Sequence, residues 1–393
     1  MPRARGDNFV GSSTAPACPL RGDDTVGMGS ADQISDEGEV TAPARALVAG
    51  WWREFADDQC RGYSPLYDRI CRVVADDDEL LDLVLEAPLL GRQPNVLLAA
   101  VHYLLLDGLE HELGAVYAGR SDADPGPLFC DVARSRPTEI AAMLETRRTN
   151  TNECGRTALL VPGLRWIADH LGEPLSLLDA GTSAGLNLRL DHYLLDYGNG
   201  VTTGPADSTV RIECRVTGAA PISPGAPAIR ARVGLDRSPV DLDVPDEARW
   251  LLACVWPDTG RMERTEAAIA LARQHPYELV LGDMVDDLAA AASRLPDEGT
   301  LCVMSSWALA YLRRADRVRF VEQLSQLSQS RPVAWLSAEG PGVVAGLPDL
   351  PPRLDDGIEA SVLGCVLFDR GRSDAHLLGR CHPHGNWLEW LAT

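Results

Sequence analysis

Four residues of this chain stand where a polar group ends an apolar run: Asp179, Asp236, Asp283 and Ser305. The first belongs to the densest stretch, LLDAGTSAGLNL at residues 177–188, where Gly181, Ser183 and Gly185 alternate behind Asp179. Glycine lets backbone turn sharply or meet a ligand closely. A helix starting behind such a turn offers free N–H groups to whatever sits in it. Two chemistries use this spacing. An acid followed by Gly-x-Gly-x-Gly seats a nucleoside cofactor, here with Ser183 in the middle place. Gly-x-Ser-x-Gly is an elbow that presents a nucleophilic serine, and Gly181, Ser183 and Gly185 match it in full. A tight strand-to-helix turn without a ligand has the same letters, so the rest of the chain must discriminate.

Asp236 closes the run IRARVGLD, and Asp283 the run ELVLGD. A carboxylate behind the strand that follows the glycine loop can pair both hydroxyls of a ribose. Glu213, in an inserted alternating segment, competes for that role. Asp283 stands where a polar group meets the edge of an adenine. Ser305, Ser306 and Trp307 fall where such a sheet holds the reacting group, and positioning alone supplies much of a group transfer. Tyr311, His382 and His384 are the candidate bases for a poor nucleophile. Upstream, Thr151, Asn152, Glu153 and Arg156 open a helix. They read either as a lid that bonds cofactor or substrate, or as a helix start with a local Glu153–Arg156 pair. Asp191, Tyr193 and Tyr197 either line the pocket or pack. His102, in an apolar helix, reads as a core histidine. A hydrolase would run Ser183, Asp283, His384 in chain order. Cys381, His382 and His384 come nearest to a metal cluster but lack a fourth ligand, so no metal is expected.

These groups need a scaffold that gathers them. From residue 46 to about 171 the apolar spacing is helical, with helices predicted at 95–106, 138–147 and 153–170. After the glycine loop a helix is predicted to residue 197, then a strand at 209–216 and another at 229–236. Helices at 246–256, 262–274, 284–295 and 315–329 alternate with strands at 278–283, 300–305 and 332–337. Segments 360–368 and 374–381 read as an antiparallel hairpin. Such alternation predicts a mainly parallel sheet wrapped by helices, with ligands outside the carboxyl ends of its strands. The expected division is a disordered segment at 1–42, a helical lid region at 43–172 and a Rossmann-like domain at 173–393. The lid is predicted to bring Asn152 to the glycine loop.

Composition removes several functions. The net charge of −21 argues against nucleic acid or an anionic membrane as partner. No apolar run is long enough to span a bilayer, and the N-terminus lacks a secretory pattern, so a cytoplasmic location is expected. All 36 basic residues are arginine, which fits a GC-rich, actinobacterial coding bias. Without lysine there is no Walker A loop and no Schiff base. The ten cysteines contain no C-x-x-C pair and read as free thiols.

With those pieces in place, the chain from about residue 175 resembles the class I S-adenosylmethionine-dependent methyltransferases. The matching motifs are LLDAGTSAGLNL, VGLDRSP at 233–239 and LGDM at 281–284. The resemblance implies S-adenosylmethionine as cofactor and a small-molecule acceptor. It implies that Asp179, Gly181, Thr182, Ser183, Gly185 and Asn187 cradle the methionine part, that Asp236 holds the ribose, and that Asp283 with Met284 meets the adenine. Ser183 in place of the middle glycine and the inserted segment before Asp236 depart from the pattern. Nearly the whole chain is also similar to an uncharacterised bacterial family, domain of unknown function 2332. The motifs are SPLY, AAVHYLL, RRTNTNECGR, AGTSAGLNL, VWP and HPHGNWLEW. That likeness implies a shared architecture and names no substrate. A serine hydrolase and a binding protein without turnover stay open as alternatives.

Overall fold

The computed structural model describes residues 42–351 and 360–392. The N-terminal segment expected to be disordered lies outside the described residues, apart from Ala42.

Seven helices come first: α1 (Ala42–Phe55), α2 (Pro65–Val74), α3 (Asp78–Glu86), α4 (Pro94–Leu106), α5 (Glu112–Tyr117), α6 (Pro125–Ser135) and α7 (Pro137–Thr146). Their starts are written locally. Ser64, Asp77 and Asp124 cap α2, α3 and α6 through their side chains, and proline opens α2, α4, α6 and α7. α4 is apolar nearly all round because it lies inside this layer, with Trp52, Tyr67, Ile70 and Phe129 in the same core. Its His102 is a core histidine: Nδ1 bonds the Ala253 carbonyl at 3.1 Å, and burial pushes its pKa down to about 4.

The sheet elements follow. After α8 (Thr157–Leu171) come β1 (Leu175–Ala180), β2 (Leu194–Asp196), β3 (Thr202–Thr203), β4 (Arg211–Glu213), β5 (Arg215–Thr217) and β6 (Ile229–Asp236). Next are α9 (Pro245–Ala253), α10 (Met262–Gln274), β7 (Glu278–Leu281), α11 (Leu288–Ala292), β8 (Thr300–Ser306) and α12 (Arg314–Leu327). The chain ends with β9 (Val333–Glu339), β10 (Ser361–Asp369), β11 (Arg372–Cys381) and β12 (Trp387–Trp390).

The main sheet has nine strands in the order β5-β12-β11-β10-β9-β8-β1-β6-β7, and β3-β2-β4 form a small second sheet. β7, β6, β1, β8 and β9 are mutually parallel, while β9 to β12 run antiparallel. The predicted mainly parallel sheet and its closing hairpin are both present. β1 is buried at all six positions because α8 and α10 cover one face and α11 and α12 the other. The chain goes from β1 outward to β6 and β7, then returns to β8 on the other side of β1. A sheet that reverses direction this way leaves a crevice at the carboxyl ends of the two strands flanking the reversal. The helical layer reaches the sheet through α9, whose Trp250 and Ala253 lie in the helical core.

Three elements differ from expectation. The helix predicted behind the glycine loop is a kinked 3-10 segment, Leu186–His192, followed by β2. The buried Arg189 binds the carbonyls of Ala184, Gly185, Ala272 and His275, and Tyr193 Oη donates to the Leu186 carbonyl at 2.8 Å. These tertiary bonds take acceptors that an α-helix would use along its own axis. The strand predicted at 209–216 breaks at Cys214, giving β4 to the small sheet and β5 to the edge of the large one. β12, within the HPHGNWLEW tail, pairs β11 and β5 and was not predicted.

Candidate functional site

The loop behind β1 passes through Gly181, Ser183 and Gly185, with φ of 81°, 53° and 68°. Ser183 takes a left-handed conformation that costs a side-chain-bearing residue energy. Three contacts hold it there. Its N–H donates to Asp236 Oδ2 at 2.8 Å, its carbonyl accepts from Val240 N at 3.3 Å, and its Oγ donates to Asn150 Oδ1. The Leu186 N–H donates to Asn152 Oδ1 at 2.8 Å. The α-helix start expected here to offer free N–H groups is replaced by a 3-10 start, and the Leu186 N–H is spent on the protein.

The three strand-end acids sit in unlike surroundings. Asp179 is 3 % exposed, and Thr182 Oγ1 donates to its Oδ2 at 2.9 Å. No arginine reaches Asp179 within ion-pair distance among the described residues. Burial pushes its pKa up to about 7, against the Thr182 bond and with help from Asp236. Asp236 accepts from Ser183 N and from Ser238 N, both at 2.8 Å, through different oxygens. Asp283 accepts from Val285 N and Asp286 N and pairs with Arg237. Burial alone would raise its pKa; Arg237 and the two N–H groups hold it below the ordinary carboxylate value. Glu213, the competing ribose acid, is on β4 in the small sheet with its side chain 80 % exposed. Asp191 pairs with Arg232 at 2.5 Å, while Tyr193 and Tyr197 pack in the core.

The segment 149–156 works as a clasp. Asn150 and Asn152 hold the glycine loop. The local Glu153–Arg156 ion pair is not formed among the described residues; the two are joined only through the backbone, where Arg156 N donates to the Glu153 carbonyl at 3.3 Å. Glu153 instead binds Arg261 at 2.9 Å, Arg264 at 2.8 Å and its own Gly155 N–H at 2.7 Å. Burial pushes the Glu153 carboxyl up, but Arg264 and Arg261 outweigh it and hold the pKa at about 2. Arg156 donates to the Pro383 carbonyl at 2.9 Å and the Ser306 carbonyl at 3.0 Å, tying the clasp to the C-terminal tail and to β8. Clasp and tail touch backbone to backbone. A Cβ on Gly385, whose φ is 84°, would lie 2.0 Å from the Gly155 carbonyl oxygen. Gly385→Ala is expected to cost about 3 kcal/mol of unfolding free energy by strain and overpacking. Chemical denaturation measures this, and a loss below about 1 kcal/mol would contradict the close approach.

At the end of β8 the two serines part. Ser305 is fully buried and accepts from Trp335 Nε1 at 3.0 Å, so it faces the core. Ser306 faces the cavity, and its buried Oγ has no hydrogen-bond partner among the described residues. Trp307, with φ of 52°, is the second strained non-glycine of the site, and its Nε1 donates to Ser361 Oγ at 2.9 Å. Tyr311 is exposed at the rim. The hydrolase arrangement is not assembled: Ser183 Oγ bonds Asn150, Asp283 pairs with Arg237, and His384 Nδ1 faces Arg261 at 3.4 Å. Among the described residues no group of His, Cys, Asp or Glu is arranged to hold a metal ion.

A cavity of about 980 Å³ joins these parts. Asp179, Gly181, Ser183, Asn187, Asp236, Asp283, Met284 and Ser306 line it from the sheet, and Asn152 and Arg156 from the clasp. The helical layer adds Tyr63 and Leu98, and the tail adds His382 and His384. Thr182, Gly185 and Glu153 are not on its wall; they bond Asp179, Arg189 and Arg261 respectively. Sequence reasoning missed Asn150, Tyr63, Trp256 and Arg261. RRTNTNECGR, SPLY and VWP mark the neighbourhoods of the first three, but Arg261 stands in no such motif.

Fold and site together define a mixed α/β protein with one large cavity at the carboxyl edge of a mainly parallel sheet, roofed by helices. The chain belongs to a family described as an uncharacterized protein conserved in bacteria (DUF2332), matched over residues 49–390. The comparisons with curated proteins and with solved structures give no match. Among the described residues no helix is long and apolar enough to cross a membrane.

Proposed function

We propose that the protein is an S-adenosylmethionine-dependent methyltransferase acting on a small molecule, on a Rossmann-like sheet with the helical layer as its lid. One observation carries this reading. Asp179, Asp236 and Asp283 end or follow three adjacent parallel strands, β1, β6 and β7, and face one cavity beside the glycine loop. That is where a nucleoside cofactor lies on such a sheet.

The residues fit the group. Asp179 is a buried carboxyl without a cation, and the ammonium of a methionine moiety would supply one. Asn187 lines the same cavity, and its Oδ1 is buried without a partner among the described residues. Asp236 spends one acceptor site of each oxygen on backbone N–H groups and keeps the others for a ribose diol. Asp283 can meet the adenine edge once Arg237, whose side chain is 77 % exposed, swings aside. When bound, the cofactor supplies an electrophilic methyl group. The chain positions the acceptor, and the clasp and helical layer exclude water from it.

Calorimetric titration with S-adenosylmethionine and its demethylated product tests this. Both are expected to bind, and Asp236→Ala to weaken them by about tenfold or more, or about 1.4 kcal/mol. No heat with either would overturn the reading. Binding without transfer to any of a broad acceptor panel would favour a binding protein. Fluorophosphonate labelling abolished by Ser183→Ala would favour the hydrolase.

A further inference from the structure

The geometry points to an oxyanion-binding corner in this cavity, built by Arg156, Arg261, His382 and His384, that seats the carboxylate or phosphate of the molecule on which the protein acts. That this molecule is a methyl acceptor rests on the proposed function; the corner itself does not.

The first observation is buried positive charge in excess of the carboxylates within ion-pair distance; Glu153 and Glu339 act on Arg156 only from farther off. Arg156 and Arg261 are 5 % and 4 % exposed, and both line the cavity. A buried guanidinium is normally paired. Arg156 spends its bonds on two carbonyl oxygens, and no carboxylate lies within ion-pair distance of it among the described residues. Arg261 shares the single carboxylate of Glu153 with Arg264, which leaves one cation over. Positive charge thus gathers at the tail side of the cavity, in a chain of net charge −21, while Asp179, Asp236 and Asp283 gather at the glycine loop. One end suits a cation and the other an anion.

The second observation concerns the ring protons. His384 Nδ1 faces Arg261 Nη1 at 3.4 Å, and a guanidinium only donates, so Nδ1 accepts. His382 Nδ1 accepts the backbone N–H of His384 at 3.1 Å. Both neutral rings therefore carry their proton on Nε2, as donors. Neither is set up in that tautomer to take a proton at Nε2 as a general base. The third observation is the unpartnered, buried Ser306 Oγ, whose own carbonyl Arg156 holds. Tyr63 stacks on His384 at 5.6 Å and lies 5.7 Å from Trp256, adding an aromatic wall suited to a planar body behind the anion.

The test uses the full chain and calorimetry with benzoate, phenyl phosphate and the neutral isostere benzamide, each alone and with the demethylated cofactor product. One of the anions is expected to bind about tenfold tighter than benzamide, the strength of a hydrogen bond to a charged group. Preference for benzoate assigns a carboxylic acid, and preference for phenyl phosphate a phosphate monoester. His384→Phe and, separately, His382→Phe keep a ring in place and are expected to remove most of that preference while leaving cofactor affinity unchanged. Benzamide binding as tightly as both anions, or both variants retaining the full preference, overturns the corner. Anion preference without cofactor binding upholds the corner and overturns the methyltransferase reading; cofactor binding without anion preference does the reverse.

Discussion

Asp179→Asn is expected to make the protein more stable at pH 8 by about 2–4 kcal/mol and to abolish most of the affinity for the proposed cofactor. The carboxyl is buried, takes its hydrogen bond from Thr182, and has its pKa pushed from 3.8 up to about 7. Between those values the folded state holds a proton that the unfolded state has released, so stability falls as pH rises through that window. Each tenfold difference in proton affinity between the two states is worth about 1.36 kcal/mol. Asparagine accepts the same Thr182 bond and carries no charge, so the variant escapes that loss. The gain should be full above pH 7 and vanish below pH 4. Urea midpoints of variant and parent at the two pH values measure it. The same substitution removes the countercharge for an ammonium group, and titration should show about tenfold or greater weakening of S-adenosylmethionine. A buried, unpaired ionisable group beside a cavity is a cost to the fold that a ligand can repay. A variant less stable than the parent at pH 8, or one that binds cofactor as the parent does, would refute this account of Asp179.

Removing the Glu153 carboxylate should have the opposite sign and a comparable size. Its side chain is 2 % exposed, and it pairs with both Arg261 and Arg264, whose side chains are 5 % and 16 % exposed. Glu153→Ala leaves two guanidinium groups facing one another in the interior, at a cost of about 3–5 kcal/mol. Glu153→Gln keeps an acceptor for the Gly155 N–H and should lose less. The carboxyl pKa falls from 4.5 to about 2 on folding, so its contribution is complete above pH 4.5 and is lost as pH drops toward 2. The gap between parent and Glu153→Ala should therefore narrow over that interval. Denaturant melts from pH 7 down to pH 3 give the comparison, and a gap that does not shrink with acidity would show that packing, not charge, is what Glu153 supplies.

The two substitutions also separate what is legible in the chain from what is not. Asp179 is marked by its place at the end of an apolar run before alternating small residues, a signal contained in twelve consecutive letters. Asp236 and Asp283 are marked the same way, because the apolar run of a parallel strand ends where polar groups can reach solvent or a ligand. Glu153 stands out as part of a polar cluster, but its partners do not. The letters place Arg156 three residues away, whereas the fold chose Arg261 and Arg264, more than a hundred residues downstream.

The sequence by itself determined the helical layer, the alternation that makes a mainly parallel sheet, the closing hairpin, and the strand ends that carry acids. Each depends on periodicity or on a neighbour within a few residues, where short-range sterics and burial act alone. Only the tertiary structure decided the rest. It turned the helix expected behind the glycine loop into a kinked 3-10 segment, because Arg189 and Tyr193 compete for its carbonyls. It set Ser306 toward the cavity and Ser305 toward Trp335, since adjacent residues of a strand face opposite sides and the sequence does not say which side is open. It also brought the tail histidines, the clasp and the start of α10 into one corner. Those contacts join residues up to about 230 positions apart, and nothing local in the chain encodes which charge will meet which.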